Sequence, residues 1–197
     1  MTKAVFLDRD GVINKIIYHK EAGILDTPFT VSQFKLLPQV GAAIRMINSL
    51  GLKAIIVSNQ PGLAKKHFDM RTLSAIDQKM HSSLSKQNAE LDAVYYCLHH
   101  PQAEDKRYKK NCKCRKPKPG LLSQAAKDFD LNLKKCYLIG DGITDIQAGK
   151  AVGCTTFLIG NHKCDLCRFL SKKKIKPDFI VPNLYQATKI IKKLEGG

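Results

Sequence analysis

The sequence contains no apolar run that approaches the roughly 20 residues needed to span a bilayer. Its N-terminus also lacks the long apolar stretch and the small-residue cleavage site of a secretory signal. These absences predict a protein that has no membrane partner and resides in the cytoplasm. No internal repeat or low-complexity linker divides the chain, and its 197 residues fit one compact domain, residues 1–197, with a substantial core.

Because there is no export signal, the seven cysteines are expected to be thiols or metal ligands rather than disulfides. The odd number of cysteines also argues against a fully paired disulfide framework. Cys136 and Cys154 adjoin predicted strands and are interpreted as core residues. Cys164 and Cys167, with one nearby histidine, fall short of a full ligand set, so we do not interpret them as a metal site.

Acidic residues are scarce: 17 aspartates and glutamates stand against 33 lysines and arginines, which gives a formal net charge of +16. A charge of this size favours an anionic partner. The excess is concentrated between Lys106 and Lys118, where eight of thirteen residues are basic. One interpretation of this run is a basic zinc-binding module for nucleic acid. Since only Tyr108 in the run could stack on a base, we instead predict a small phosphorylated metabolite as partner and no nucleic acid.

Short apolar runs alternate with stretches of helical periodicity along the chain. This alternation predicts an α/β fold with a Rossmann-like parallel sheet and helices on both faces. The motif spacing leaves no insertion long enough for a large cap domain. Strands are predicted at residues 4–7, 54–57, 93–96, 137–139, 155–159 and, at an edge, 179–181. Helices are predicted at residues 40–50, 70–87, 119–129, 144–152 and 184–194, with irregular segments at 97–118 and at 162–177, the latter a mobile surface loop.

Two aspartates, Asp8 and Asp10, directly follow the first apolar run and precede Gly11. Residues i and i+2 point to the same side of a strand, so both carboxylates can face one site. A carboxylate can attack phosphorus to give an acyl-phosphate, which water later hydrolyses. A second carboxylate can protonate the leaving group and then deprotonate the attacking water. We therefore predict Asp8 as the nucleophile and Asp10 as the acid and base.

Magnesium ligands are predicted where the strand at 137–139 ends. Asp141 lies there between two glycines, which permit a close approach. Mg²⁺ prefers oxygen ligands, usually one or two carboxylates together with phosphate oxygens. The predicted ligands are Asp8, Asp141 and the backbone carbonyl near Asp10. For Asp145 two interpretations stay open, a role in the site or a cap on the following helix.

Two further segments offer groups that could hold a phosphoryl group. Ser58 follows a predicted strand and could bind phosphoryl oxygens, although an ordinary polar turn also explains it. Lys116 precedes a predicted helix and is predicted to contact the phosphoryl group as a point charge. The adjacent Arg115 could bind a second anionic group.

Together these motifs resemble the haloacid dehalogenase superfamily of phosphatases over roughly residues 5–160. The resemblance rests on Asp8-x-Asp10-Gly11-Val12, Ser58-Asn59-Gln60, Lys116 and Gly140-Asp141-x-x-x-Asp145, in the order and spacing of that family. It implies a Mg²⁺-dependent phosphatase that works through an aspartyl-phosphate. The implied roles are nucleophile for Asp8, acid and base for Asp10, phosphoryl clamps for Ser58 and Lys116, and Mg²⁺ ligand for Asp141.

The irregular segment at 97–118 contains a zinc ligand set. Three thiolates and one imidazole form a standard tetrahedral site, and the predicted ligands are Cys97, His99, Cys112 and Cys114. His100 is an alternative to His99, and the whole set could instead be free or buried thiols. Because Cys114 adjoins the two predicted phosphate-binding cations, zinc would hold these cations in position, a structural role.

The same segment narrows the resemblance. Cys-x-His-His-Pro and Cys-x-Cys-Arg-Lys-Pro-x-Pro-Gly are similar to the D-glycero-D-manno-heptose 1,7-bisphosphate phosphatases and the related histidinol-phosphate phosphatases. The segments at 8–14 and 58–64 look closer to the heptose enzymes, which act on a precursor of lipopolysaccharide heptose. The resemblance implies removal of the C7 phosphate, with histidinol phosphate as the alternative substrate. The protein is expected to be a monomer. The implied substrate contacts are Arg9, Ile16, Ile17, Tyr18, His19, Asn59, Gln60 and Arg115, with the zinc segment shaping much of the entrance.

Overall fold

The fold is built around a parallel β-sheet. The structure is a computed structural model that describes residues 2–103, 105–160 and 175–196. In chain order its strands are β1 (Ala4–Leu7), β2 (Ile17–His19), β3 (Ile24–Asp26), β4 (Lys53–Asn59), β5 (Ala93–Cys97), β6 (Tyr137–Gly140), β7 (Thr155–Ile159) and β8 (Phe179–Val181). Six of them pair in the order β5-β4-β1-β6-β7-β8, and every pairing is parallel. The predicted fold class is therefore confirmed.

Helices lie between the strands and after the last of them. They are α1 (Val40–Ser49), α2 (Met70–Ser85), α3 (Gly120–Asp128), α4 (Ile143–Ala151) and α5 (Leu184–Leu194), with a short 3₁₀ turn at Leu133–Lys135. Side-chain caps define two of their starts: Asp69 accepts a hydrogen bond from the backbone N–H of Thr72 at 2.8 Å, and Asn183 accepts one from that of Gln186 at 2.9 Å. Of these helices, none has the length and apolar character that would let it cross a bilayer.

The core lies on both faces of the sheet. Side chains alternate along β1, so that Val5 and Leu7 join one buried cluster while Ala4 and Phe6 join another. Residues of α1, α2 and α5 complete the first cluster, and residues of α3 and α4 complete the second. This two-sided burial explains why the central strands read as continuous apolar runs.

A small antiparallel hairpin, which was not predicted, stands apart from the main sheet. Strands β2 and β3 pair from Ile17 opposite Asp26 to His19 opposite Ile24. Each strand has only three residues, too few for an alternating pattern to be recognised. The hairpin contains most of the segment predicted to line the sugar site. The predicted loop at 162–177, with Cys164 and Cys167, lies mostly outside the described residues.

Candidate active site

An open cleft of about 250 Å³ lies beyond the carboxyl ends of the central strands. Strands β4, β1 and β6 are neighbours in the sheet, so Ser58, Asp8 and Asp141 come from adjacent strand ends. This is the edge at which open parallel sheets bind ligands. The residues that line the cleft are Asp8, Asp10, Ile16, Leu25, Asp26, Thr27, Ser58, Asn59, Pro61, Arg115 and Asp141.

Three carboxylates form a tight cluster at this edge, which we call the carboxylate cluster. Asp8, Asp141 and Asp145 each offer an oxygen, and these oxygens all lie within 4.8 Å of one another. Gly11 makes room for the cluster, because a Cβ atom on it would lie only 2.0 Å from Oδ2 of Asp141. Its φ of 79° also lies in the left-handed region that favours glycine. The glycine after the two aspartates is thus required by close approach.

Lys116 provides a positive charge within the cluster. Its Nζ lies 3.0 Å from Oδ1 of Asp8 and 2.5 Å from Oδ1 of Asp145, and it donates a hydrogen bond to the carbonyl of Val57 at 2.8 Å. Burial disfavours the charged lysine, but the ion pairs with the two aspartates outweigh burial and raise the pKa of Lys116 above its usual value. The lysine therefore stays protonated beside the carboxylates.

The carboxylate cluster fits a divalent cation. Burial, followed by the charges of Asp8 and Asp145, raises the pKa of Asp141 to about 7. One lysine cannot balance three carboxylates, and a hard cation such as Mg²⁺ would supply the missing positive charge through the oxygen ligands that it prefers. Two of the predicted Mg²⁺ ligands, Asp8 and Asp141, therefore belong to this cluster, and Asp145 is its third member.

Asp145 caps a helix and also lies in the carboxylate cluster. Its Oδ2 accepts a hydrogen bond from the backbone N–H of Gly142 at 3.1 Å, which caps the start of α4. Its other oxygen pairs with Lys116, and the side chain is only 2% exposed. The same carboxylate therefore fixes the helix that follows β6 and joins the cluster.

Donors surround the carboxylate of Asp10. Oδ1 accepts hydrogen bonds from Asn14 Nδ2 and Thr27 Oγ1, both at 2.9 Å, and Oδ2 accepts one from Gln60 Nε2 at 2.6 Å. Arg9 Nη2 lies 3.3 Å from Oδ2. Arg9 and Gln60 are fully buried behind Asp10 and do not line the cleft, so the structure does not bring these two predicted substrate contacts to the substrate side.

Asn59 lines the cleft, but its side-chain amide binds the backbone of Lys116. It donates to the Lys116 carbonyl at 3.1 Å and accepts from the Lys116 N–H at 3.0 Å. The end of β4 thereby holds the lysine through two hydrogen bonds. The sequence predicted Asn59 as a substrate contact and gave no sign of this backbone clamp.

The four predicted zinc ligands converge on one point, and we call them the cysteine–histidine cluster. The sulfur atoms of Cys97, Cys112 and Cys114 are 3.2 to 3.5 Å apart, and Nδ1 of His99 lies 3.3 Å from the sulfur of Cys114. In a tetrahedral site with Zn–S bonds of about 2.3 Å the sulfurs would be roughly 3.8 Å apart, so the cluster needs little expansion. His100 instead accepts a hydrogen bond from the backbone N–H of Gln102.

Arg115 connects this cluster to the cleft. Its side chain lines the cleft and donates a hydrogen bond to the carbonyl of His99 at 3.3 Å. Among the cleft-lining residues, Arg115 comes from the segment at 97–118. The hairpin and its flanking residues contribute Ile16, Leu25, Asp26 and Thr27. Among the described residues, the hairpin therefore forms more of the entrance than the zinc segment does, in contrast to the expectation.

Of the four residues predicted to line the sugar site, Ile16 lines the cleft and the other three do not. Tyr18 is 58% exposed, and Ile17 is absent from the cleft wall. His19 stacks on Phe29 with ring centroids 3.6 Å apart and hydrogen bonds to the carbonyl of Thr27. These three residues lie on the hairpin itself, and Leu25 from its second strand takes the position at the cleft.

Comparisons with known proteins agree with this geometry. The HAD-hydrolase-like family model matches residues 113–187. The D-glycero-beta-D-manno-heptose-1,7-bisphosphate 7-phosphatase of Photorhabdus laumondii is 37% identical over 145 residues, which cover 74% of this chain and 73% of that protein. The chain belongs to this family of HAD-like phosphatases. It is accordingly a phosphoric monoester hydrolase.

Two further relatives span almost the whole chain. The enzyme of the same name from Pasteurella multocida is 31% identical over 196 residues, 99% of this chain and 100% of that protein. A crystal structure of the D,D-heptose 1,7-bisphosphate phosphatase from B. bronchiseptica, complexed with magnesium and phosphate, superposes with a TM-score of 0.80 at 27% identity. The superposition covers 98% of this chain and 99% of the B. bronchiseptica chain, so the structural similarity includes the hairpin and α5.

Two side chains that donate hydrogen bonds to Asp10 were not predicted from the sequence. Thr27 and Asn14 both donate to it, yet Thr27 lies in no motif, and Asn14 was given no role although it ends the segment at 8–14. The one local signal for the hairpin is Gly23, which lies between the two short strands and has a φ of 64°. Thr27 directly follows the second strand of this hairpin and donates to Asp10 from there.

Proposed function

We propose that this phosphatase removes the C7 phosphate of D-glycero-beta-D-manno-heptose 1,7-bisphosphate, with Mg²⁺ as cofactor and an aspartyl-phosphate on Asp8 as intermediate. The observation that carries the proposal is the convergence of Asp8, Asp141, Asp145 and Lys116 in a cleft that is open to solvent. The names of the relatives supply the sugar, its anomer and the position of the phosphate.

In the first step, an oxygen of Asp8 attacks the phosphorus of the C7 phosphate, and the bond from phosphorus to the sugar oxygen breaks. Asp10 donates its proton to that sugar oxygen, so the leaving group departs as an alcohol rather than an alkoxide. The location of Asp10 on the cleft wall, two residues from Asp8, supports this role.

In the second step, a water molecule attacks the phosphorus of the aspartyl-phosphate, and Asp10 takes up its proton. The bond from phosphorus to the Asp8 oxygen breaks, which releases inorganic phosphate and restores both side chains. Splitting the displacement in this way gives each step a positioned nucleophile.

Positive charge and donors must surround the phosphoryl group throughout. Lys116 provides a fixed charge 3.0 Å from the attacking carboxylate, and the hydroxyl of Ser58 lines the same cleft. Asp8, Asp141 and the carbonyl of Asp10 would hold Mg²⁺, which supplies charge neutralisation of the phosphoryl oxygens when bound. Because Arg115 lines the cleft, we assign it to the second phosphate of the substrate.

Zinc in the cysteine–histidine cluster has a structural role in this proposal. All four ligand positions come from the protein, which leaves no open position for chemistry. The basic run at 106–118 then contains two zinc ligands and the two cations of the active site, which accounts for part of its charge without nucleic acid. A monomeric, cytoplasmic, single-domain enzyme stays a prediction from the sequence.

The proposal is tested by measuring phosphate release from heptose 1,7-bisphosphate and from histidinol phosphate, with and without Mg²⁺. We expect Mg²⁺-dependent release of one phosphate per heptose bisphosphate and a much lower kcat/KM on histidinol phosphate. Asp8→Asn serves as the inactive control, because its side chain has the same shape but cannot form an acyl-phosphate. Preference for histidinol phosphate would overturn the substrate, and normal turnover by the Asp8 variant would overturn the mechanism.

A further inference from the structure

A buried arginine lies directly behind the proposed acid and base. Arg9 has no exposed surface, and its Nη2 is directed toward Asp10. Nη2 contacts the Asp10 carboxylate at 3.3 Å, donates to Gln60 Oε1 at 2.8 Å and donates to Thr27 Oγ1. Gln60 and Thr27 in turn donate to the two oxygens of Asp10. Arg9 therefore helps to orient Gln60, Thr27 and, through them, Asp10.

The other terminal nitrogen of the guanidinium, Nη1, is held by two residues, one on a strand and one on a helix. Nη1 lies 3.4 Å from the hydroxyl of Tyr96 on β5 and 3.8 Å from Oδ1 of Asp77 on α2. Tyr96 donates a hydrogen bond to the same Asp77 oxygen at 2.6 Å, and its ring lies under the guanidinium carbon at 5.3 Å. A continuous chain of contacts thus runs from α2 and β5 through Arg9 to Asp10.

The charges of Arg9, Asp77 and Asp10 depend on one another. A buried guanidinium is costly unless it is paired, and Arg9 has two carboxylates within reach, Asp77 and Asp10. When Asp77 and Tyr96 hold Nη1, the arginine is fixed at a distance of 3.3 Å from Asp10 rather than drawn into a close bidentate pair with it. A bidentate pair would take the Asp10 oxygens away from the cleft.

We propose that Asp77 and Tyr96 are positioning residues for the reaction: through Arg9 they hold the carboxyl group of Asp10 at the cleft. The inference rests on the proposed role of Asp10 as acid and base. It assigns a function to two residues that lie outside every motif of the active site and do not line the cleft.

The test uses two substrates that differ in their need for an acid. The leaving group of heptose bisphosphate is a sugar oxygen that needs the proton of Asp10 to depart as an alcohol. The leaving group of 4-nitrophenyl phosphate is a stable phenolate, which needs that proton much less. The measurement is kcat/KM on both substrates for Tyr96→Phe and Asp77→Asn. We expect kcat/KM to fall about 10-fold on the heptose and less than about 2-fold on the nitrophenyl compound.

The neighbouring residue pair offers a matched control. Tyr95 on β5 donates to Asp128 on α3 at 2.7 Å, which is the same kind of hydrogen bond without contact to Arg9. Tyr95→Phe and Asp128→Asn should leave the ratio of the two kcat/KM values unchanged. If these variants alter the ratio as strongly as Tyr96→Phe does, the inference is wrong.

Asp10→Asn separates this inference from the proposed function. It should lower kcat/KM about 10²- to 10⁴-fold on the heptose, with a smaller loss on the nitrophenyl compound, and adding Asp77→Asn to it should cost little more. If Asp10→Asn shows this selectivity while the Asp77 and Tyr96 variants affect both substrates equally or neither, the positioning role is refuted and the proposed function stands. If Asp10→Asn itself is unselective, the acid role fails and the inference fails with it.

Discussion

The carboxylate cluster and the cysteine–histidine cluster differ in how the fold assembles them. Asp8 and Asp141 follow two central strands, and Asp145 sits in the first turn of the helix that follows. In the other cluster only Cys97 ends a strand, and its three partners lie in the irregular segment that follows. The sheet therefore brings the carboxylates together by itself, whereas the thiols and the imidazole depend on a segment that metal would order.

The two clusters meet at Lys116. It pairs with two members of the carboxylate cluster and lies two residues after Cys114. From this we infer that the two clusters have different roles: the carboxylate cluster takes part in the chemistry, and the cysteine–histidine cluster holds Lys116 in position. The following predictions test that difference, from the largest expected loss of activity to the smallest.

Removing a ligand from the carboxylate cluster should have the largest effect. For Asp141→Asn we expect kcat to fall about 10²- to 10³-fold, because the site loses a charged Mg²⁺ ligand. The measurement is kcat as a function of Mg²⁺ concentration. Asp26→Asn is the matched control, since Asp26 lines the same cleft without joining the cluster. Equal losses in the two variants would contradict a specific role for Asp141.

Removing a ligand from the cysteine–histidine cluster should have a smaller effect. For Cys112→Ser we expect loss of bound zinc and a fall in kcat of about 10- to 100-fold, because Lys116 loses part of its support. Metal analysis, kinetics and far-UV circular dichroism on the same preparation check this. Cys154→Ala, at a buried cysteine outside the cluster, should retain zinc. A zinc-free Cys112 variant with full activity would refute the supporting role.

Removing the contact from the end of β4 to Lys116 should lower kcat by less than removing a zinc ligand does. Asn59→Ala removes both hydrogen bonds to the Lys116 backbone, and we expect kcat to fall about 10-fold without loss of zinc. Asn111→Ala is the control, since its side chain accepts a hydrogen bond from the exposed Lys118. If Asn59→Ala changes KM alone, then Asn59 contacts the substrate, as the sequence predicted.

Proton and metal should compete at the carboxylate cluster. The pKa of Asp141, raised to about 7 by burial and by Asp8 and Asp145, means that without Mg²⁺ the folded chain binds a proton between about pH 4 and 7 that the unfolded chain releases. That contribution favours folding at low pH and is lost as pH rises through 7.

Mg²⁺ would replace this proton, so its stabilising effect should be larger at pH 8 than at pH 5.5. Thermal unfolding with and without Mg²⁺ at both values measures this, and we expect the difference to amount to a few degrees. Asp141→Asn should remove most of the pH dependence. An equal Mg²⁺ effect at both pH values in the unmodified protein would contradict a raised pKa at the metal site.

The sheet and the motif residues could be predicted from sequence because local patterns specify them. Apolar runs such as Ala54–Val57 are long enough to identify a buried strand, and the parallel arrangement brings their carboxyl ends together. The same logic placed Asp8, Ser58 and Asp141 at one edge. The spacing of cysteine and histidine was enough to identify the second cluster.

The contacts that hold these residues could not be predicted in the same way. Thr27 reaches Asp10 through a hairpin of two three-residue strands, and Asn59 binds a backbone 57 residues away. The resemblance implied that Arg9 contacts the substrate, but its side chain is buried and is held by Gln60 and Asp77. Such contacts depend on tertiary packing, for which a single sequence carries no periodic signal.

The central claim is that Asp8 carries the phosphoryl group during turnover. The most direct measurement is to mix the protein with ³²P-labelled heptose bisphosphate, quench in acid within one turnover and map the labelled peptide. We expect hydroxylamine-sensitive label on the peptide that contains Asp8 and no label in Asp8→Asn. Label on a different peptide, or unchanged label in the Asp8 variant, would contradict the account.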